Sequence, residues 1–174
     1  MLTRDQRLEL YHEWVDAIGK SEFPNCRGVY KTVHPETQEC RWCALGLLAE
    51  LTVRKYPHLV QFADCRKYAP ENLSDEARAD YWSPEKDGSW HQMLYYTRDV
   101  NDIRSHTPVG DAVLMELFPE LGPEFTGKID TIIGLNDDFP DGTDNPPPAD
   151  WENAAQLKHV IEHYVIFPAE HIKR

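Results

Sequence analysis

Leu8, Tyr11, Trp14, Val15 and Ile18 recur at helical spacing and form one apolar stripe, which predicts a helix from about Arg4 to Ile18. Thr3 with Gln6 makes a capping box at its start, and Gly19 is a stop signal at its end. The pattern then changes. Phe23-Pro24-Asn25-Cys26-Arg27-Gly28 is rich in turn formers, and Val29 to Val33 is β-branched and aromatic, so a strand is expected there. His34 to Gln38 should turn the chain back into a partner strand, Glu39 to Trp42. That hairpin delivers Cys43 to the first turn of a second helix. Ala44, Leu45, Leu47, Leu48 and Leu51 make this helix nearly apolar all round, and it should end before Pro57.

Farther along, periodicity is interrupted. Residues 56–107 are polar and irregular, with Pro57, Pro70 and Pro84, one short helical piece after Ser74, and a second capping box, Ser89 with Gln92. The box precedes Trp90, Met93, Leu94, Thr97 and Val100, whose spacing predicts a helix. Thr107-Pro108 opens another, carrying Val109, Ala112, Val113, Leu114 and Leu117 up to Pro119. Phe125, Ile129, Ile132 and Ile133 give one more apolar face, closing at Gly134-Leu135-Asn136-Asp137. Residues 138–148 are a Pro- and Asp-rich loop, and Asp150 is placed to cap a last helix from Trp151 to Pro168. The simplest assembly is a mostly helical α+β fold with one small hairpin, a single domain spanning 1–174.

Candidate chemistry gathers where the hairpin meets the second helix. A thiol in a helix's first turn lies over unpaired N–H groups and the positive end of the dipole, which lowers its pKa. Cys43 is therefore the candidate nucleophile of a cysteine hydrolase or amidase, which also needs an imidazole and a group to orient it. His91, His106, His34 and His58 compete for the imidazole's role, with His91 the choice for the catalytic set, and Asn136 or Asp137 would be the orienting group. The competing reading is a binding protein. There Arg27, Tyr30, Arg41, Trp42, Cys43, Asn136 and Asp137 surround a small polar ligand, with backbone donors of the helix start among its contacts. The binding reading is favoured, because no particular base can be assigned to the thiol. Asn136-Asp137 also has an ordinary use in turn and capping chemistry.

Other motifs lead to weaker chemistry. Cys40-x-x-Cys43 has the spacing of a redox dithiol, but Thr37-Gln38-Glu39 before it is not the buried apolar strand such a site needs. Cys26, Cys40, Cys43 and Cys65 are four thiols with only one CxxC pair among them, so buried free cysteines are expected rather than zinc. His159-Val160-Ile161-Glu162-His163 matches H-x-x-E-H, yet both histidines lie off the stripe of Leu157, Ile161, Tyr164 and Val165. A solvated helix face that binds metal adventitiously at most is expected there. Asp137 to Asp144 fails as a calcium loop, because Phe139 falls on a ligand position when Gly142 takes the glycine's place. Neither a metal nor a cofactor is expected.

Charge narrows the partners. With 18 basic and 30 acidic residues the chain carries a net charge of −12, which disfavours direct nucleic-acid binding and suits a basic host protein. No apolar run reaches the roughly 20 residues a membrane span needs, and the first residues lack a signal peptide, so a cytoplasmic chain is expected. Four cysteines are too few for a disulfide scaffold and point to reduced thiols.

Trp14-x-x-Ala17, Ser21-x-Phe23, Cys26-Arg27-Gly28-Val29-Tyr30, Arg41-Trp42-Cys43-Ala44-Leu45-Gly46-Leu47-Leu48 and Leu135-Asn136-Asp137 before a terminal helix together resemble a group of small bacterial and phage proteins of no known function. The resemblance covers about half the chain, chiefly residues 11–51 and 131–165. It implies a shared scaffold and a bacterial or phage source, and no reaction; in a phage setting an accessory protein with an inhibitor or sequestering role is expected.

Overall fold

The computed structural model of the chain describes residues 1–64, 92–98, 109–121, 126–137, 151 and 153–171. The capping box at the N-terminus forms as its spacing predicts. Gln6 N donates to Thr3 Oγ1 at 3.3 Å and Thr3 N donates to Gln6 Oε1 at 2.8 Å, starting α1 (Arg4–Ala17). Gly19, at φ +85°, takes the left-handed conformation that carries the chain out of the helix. Leu10, Tyr11, Trp14 and Val15 turn inward, and the Trp14 indole donates to Ala44 O at 2.7 Å. That bond ties α1 to α2 (Ala44–Lys55), whose face of Leu45, Leu47, Leu48 and Ala49 is wholly buried.

The expected hairpin is present. β1 (Lys31–Val33) runs antiparallel to β2 (Cys40–Trp42), with Lys31 opposite Trp42 and Val33 opposite Cys40. It is only half of the sheet. β3 (Gln61–Asp64) and β4 (Gln92–Thr97) complete an antiparallel order β2-β1-β4-β3, with β4 in the space between β1 and β3. Two expectations are corrected here. The stretch around Met93, Leu94 and Thr97 is a strand rather than a helix, and residues 61–64 within the supposed irregular excursion are ordered sheet. Pairing along both edges of β4 satisfies its backbone, and Tyr95, Tyr96 and Thr97 are residue types at home on a pleated surface.

Helices close over this frame. α3 (Val109–Leu117) packs against β4 and continues through a 3₁₀ turn, Pro119–Leu121. α4 (Thr126–Asp137) lies against α2 and against α5 (Ala154–Ile161), which passes through a π turn, Glu162–Ile166, into α6 (Phe167–His171). The last helix thus begins later than Trp151, with Asn153 at its cap position, and runs beyond Pro168. Asn153 spends its amide on Leu135 O at 2.9 Å, a link between α4 and α5. The helix after Ser74, Ser89, Thr107-Pro108, the loop 138–148 and Asp150 lie outside the described residues.

The core joins Trp14, Tyr11 and Ile18 of α1 with Leu45, Leu47 and Leu48 of α2, Tyr96 of β4, Leu114, Phe118 and Leu121 after it, Ile132 of α4, and Leu157, Ile161 and Val165. Two arginine clasps lock its edges, one to a carboxylate and one to backbone carbonyls. Arg7 grips Glu120 through both guanidinium arms, at 2.9 and 2.7 Å, and the Tyr11 hydroxyl donates to the same carboxylate at 2.9 Å. Arg4 donates to Ala169 O at 2.6 Å and also to Glu170 O, holding the end of α6 against the start of α1. The architecture is a mostly helical α+β fold. Among the described residues no helix is long and apolar enough to cross a membrane.

Candidate functional site

The junction of β2 and α2 is built by backbone first. Segment 24–26 lies parallel to the end of β2: Trp42 N donates to Pro24 O at 2.9 Å and Cys26 N donates to Trp42 O at 3.0 Å. Cys26 and Cys43 are each the residue after the bridged pair Asn25 and Trp42, which sets them side by side. Tyr30 O then accepts from Cys43 N at 3.2 Å, so the carbonyl just before β1 sits against the first turn of α2. Only glycine allows this approach. A Cβ on Gly46 would stand 1.7 Å from Tyr30 O.

Cys43 is the N-cap of α2, in extended conformation, and its sulfur accepts from Gly46 N at 3.3 Å. The expectation that the helix start lowers its pKa is corrected. Burial pushes the thiol up to about 12, the nearby Asp137 carboxylate adds to the rise, and hydrogen bonds from Gly46, Leu45 and Cys43 backbone N–H groups offset only part of it. Cys26 is likewise raised, by burial first and then by Cys43 and Asp137. Both cysteines are half-buried, and a raised pKa reduces the thiolate fraction that acts as nucleophile.

Asn136, at the end of α4, is brought to this junction as the sequence reading grouped it, but with a different job. Its Oδ1 accepts from Ala44 N at 2.9 Å and from Asn25 Nδ2 at 3.1 Å. Its Nδ2 donates to Cys26 O at 3.1 Å and to Asp137 Oδ1 at 2.8 Å. An Asn side chain has two lone pairs on oxygen and two N–H groups, so all four are used. Asp137 Oδ1 also accepts from Gly28 N at 3.3 Å, where Gly28 adopts φ +71°. The pair therefore staples α4 to the start of α2 and to the 25–28 turn.

The remaining candidates are divided. Trp42 is buried, and its indole donates to Glu50 Oε2 at 3.0 Å rather than facing a cleft. Tyr30 is buried, whereas Arg27 and Arg41 are half-buried near the same turn. His91, His106 and Cys65 lie outside the described residues. His34 shapes its own turn, with Nδ1 accepting from Glu36 N at 3.3 Å and Thr37 N at 3.2 Å, and His58 is exposed beyond α2. Among the described residues no histidine is a partner of Cys43, and no group of three or more His, Cys, Asp or Glu side chains is placed to hold a metal ion.

Sequence reasoning passed over the strongest electrostatic feature of the region. Glu50 lies on the buried side of α2 and accepts from Lys31 Nζ at 2.7 Å and Arg54 Nε at 2.9 Å as well as from Trp42. Burial would raise its carboxyl, but these hydrogen bonds prevail and hold it below the usual range. Lys31 Nζ is also 5.3 Å from the Trp42 ring centroid and 4.9 Å from that of Phe62. A lone acid inside the run Ala44 to Leu51 was the available signal, since a charge on an apolar helix face needs a partner.

No family model matches the chain, and no curated protein or solved structure gives a significant match.

Proposed function

We propose that this chain works by binding: a small acidic accessory protein of a bacterial or phage system that inhibits or sequesters a basic host protein in the cytoplasm. The observation that supports this reading most is the state of the Cys43 junction. The half-buried Cys43 sulfur caps Gly46 N–H with its pKa pushed up to about 12, and the Asn136 side chain is saturated by contacts inside the fold. Cys43, Asn136 and Asp137, three members of the expected catalytic set, are thus engaged in holding α2, α4 and the 25–28 turn together. The same saturation disfavours a small polar ligand at this place, because Asn136 and Trp42 have no hydrogen bond left to offer one.

Acidic side chains, by contrast, lie outward. Asp5, Glu9 and Asp16 fall on one exposed face of α1, and Glu22, Glu36 and Glu39 are exposed around the hairpin. Glu9 is ion-paired with Lys55 at 2.8 Å, and the excess of acidic over basic groups on such a surface speeds and orients encounter with an oppositely charged partner. The sequence resemblance supports the bacterial or phage setting. Cross-linking mass spectrometry in host cells identifies the partner. D5K/D16K is then expected to weaken binding to it at least about tenfold and to reduce its salt dependence, whereas C43S leaves affinity unchanged. Loss of binding in C43S with D5K/D16K unaffected would refute the proposal.

A further inference from the structure

His159, His163, Phe167 and His171 follow one another at intervals of four residues, and all four are exposed. In an unbroken α-helix such a series drifts around the axis by about 40° per step. Here the π turn Glu162–Ile166 interrupts the helix, and its wider winding absorbs the extra residue. His159 and His163, one helical turn apart, share one outward face, with ring planes only 7° apart and centroids separated by 6.3 Å. On its other side His163 meets the Tyr164 ring at 5.0 Å, and that ring in turn carries Lys128 Nζ at 4.7 Å from its centroid.

We infer that His159 and His163 form a surface chelate for a divalent transition-metal ion of the nickel, copper and zinc class, which imidazole nitrogen favours. Metal–nitrogen bonds of about 2.0–2.1 Å require the two donor nitrogens to stand about 3 Å apart. Two parallel, exposed rings reach that separation by rotating about their side-chain bonds, with the backbone unmoved. No third protein ligand is placed there among the described residues, so the other coordination positions are left to water or to a donor from outside. The ion would bridge the end of α5 and the π turn and so stabilise the C-terminal arm against fraying. The inference is independent of the proposed function, since it uses none of the residues at the Cys43 junction or on α1.

Ni²⁺ is the probe of choice, because imidazole suits it while the chain's thiols select softer ions. In calorimetric titration of the full chain with nickel chloride, the wild type is expected to take one ion per chain with micromolar affinity. H159A and H163A each weaken binding at least about tenfold, the double variant H159A/H163A abolishes it, and H12A leaves it unchanged. Saturating Ni²⁺ raises the Tm of the wild type and not of the double variant, while all variants melt alike in EDTA because the substituted side chains are exposed. Nickel binding that survives in H159A/H163A, or a wild type that takes no ion at millimolar nickel, would overturn the inference.

Discussion

Asn136 has all four of its hydrogen-bonding positions engaged, and three of its four bonds reach residues more than ninety positions away in the chain. Removing the side chain leaves Ala44 N–H and Cys26 C=O without that partner at a buried junction, and each unsatisfied buried group costs about 1–3 kcal/mol. N136A is therefore expected to lower the unfolding free energy by at least about 2 kcal/mol. C43S keeps an acceptor for Gly46 N–H in a residue type preferred at helix starts, so it should cost less than about 1 kcal/mol. Urea titration of the two variants checks this, and equal losses would contradict it. The importance of Cys43 and Asn136 was legible in the sequence, but their roles were not. Capping by Asn136 was expected of its own turn, and nothing local shows that it would cap a helix 92 residues earlier. The direction of the Cys43 shift was misread for a related reason: the helix dipole is a local property, whereas burial depends on what the whole fold lays over the thiol.

Elements show the same division between local and distant causes. α1 and the β1–β2 hairpin follow their signals closely, because a capping box, an apolar stripe and a turn are all read within a few residues. β4 does not. Met93, Leu94 and Thr97 have helical spacing, but β1 has a free edge beyond the hairpin, and pairing Lys31 with Leu94 and Val33 with Gln92 decides the conformation. A one-sided hairpin in the sequence reading was itself a hint that another strand was missing. Gly46 illustrates the tightest contact between elements. G46A drives a methyl into the Tyr30 carbonyl that accepts from Cys43 N–H, and backbone on both sides cannot yield cheaply. The expected cost is about 3 kcal/mol, the upper part of the overpacking range. G134A is the matched control, in α4 with open space at its Cβ position, and should stabilise by about 0.5–1 kcal/mol. Denaturation midpoints that move in the same direction for both variants would contradict this account of the α2 contact.

At the scale of the molecule, Glu50 and Glu120 are inward-facing anchors among the described residues, while other acidic side chains lie on the surface. Glu50 and Glu120 are both held below the usual carboxyl range, since hydrogen bonds from Lys31 and from Arg7 respectively outweigh the burial that would raise them. A depressed folded-state pKa means that the unfolded chain takes up protons first, so these groups stabilise the fold above the unfolded value of about 4.3. That contribution is lost as pH falls through the folded-state values. E50Q and E120Q should each flatten the acid limb of the stability profile below about pH 4.3 and lower stability at neutral pH. An acid limb unchanged in both variants would show that other groups govern it.

The proposal of a binding protein rests on Cys43 being a structural cap, and thiol reactivity in the native state tests that most directly. Alkylation with iodoacetamide, followed residue by residue by mass spectrometry from pH 6 to 10, measures the thiolate fraction of Cys43 without any substrate. We predict labelling slower than that of a free thiol throughout, with no titration near the reference cysteine value of about 8.5 and with rapid reaction only in denaturant. Fast labelling of native Cys43 with an apparent pKa below that reference would contradict the account and restore the cysteine hydrolase.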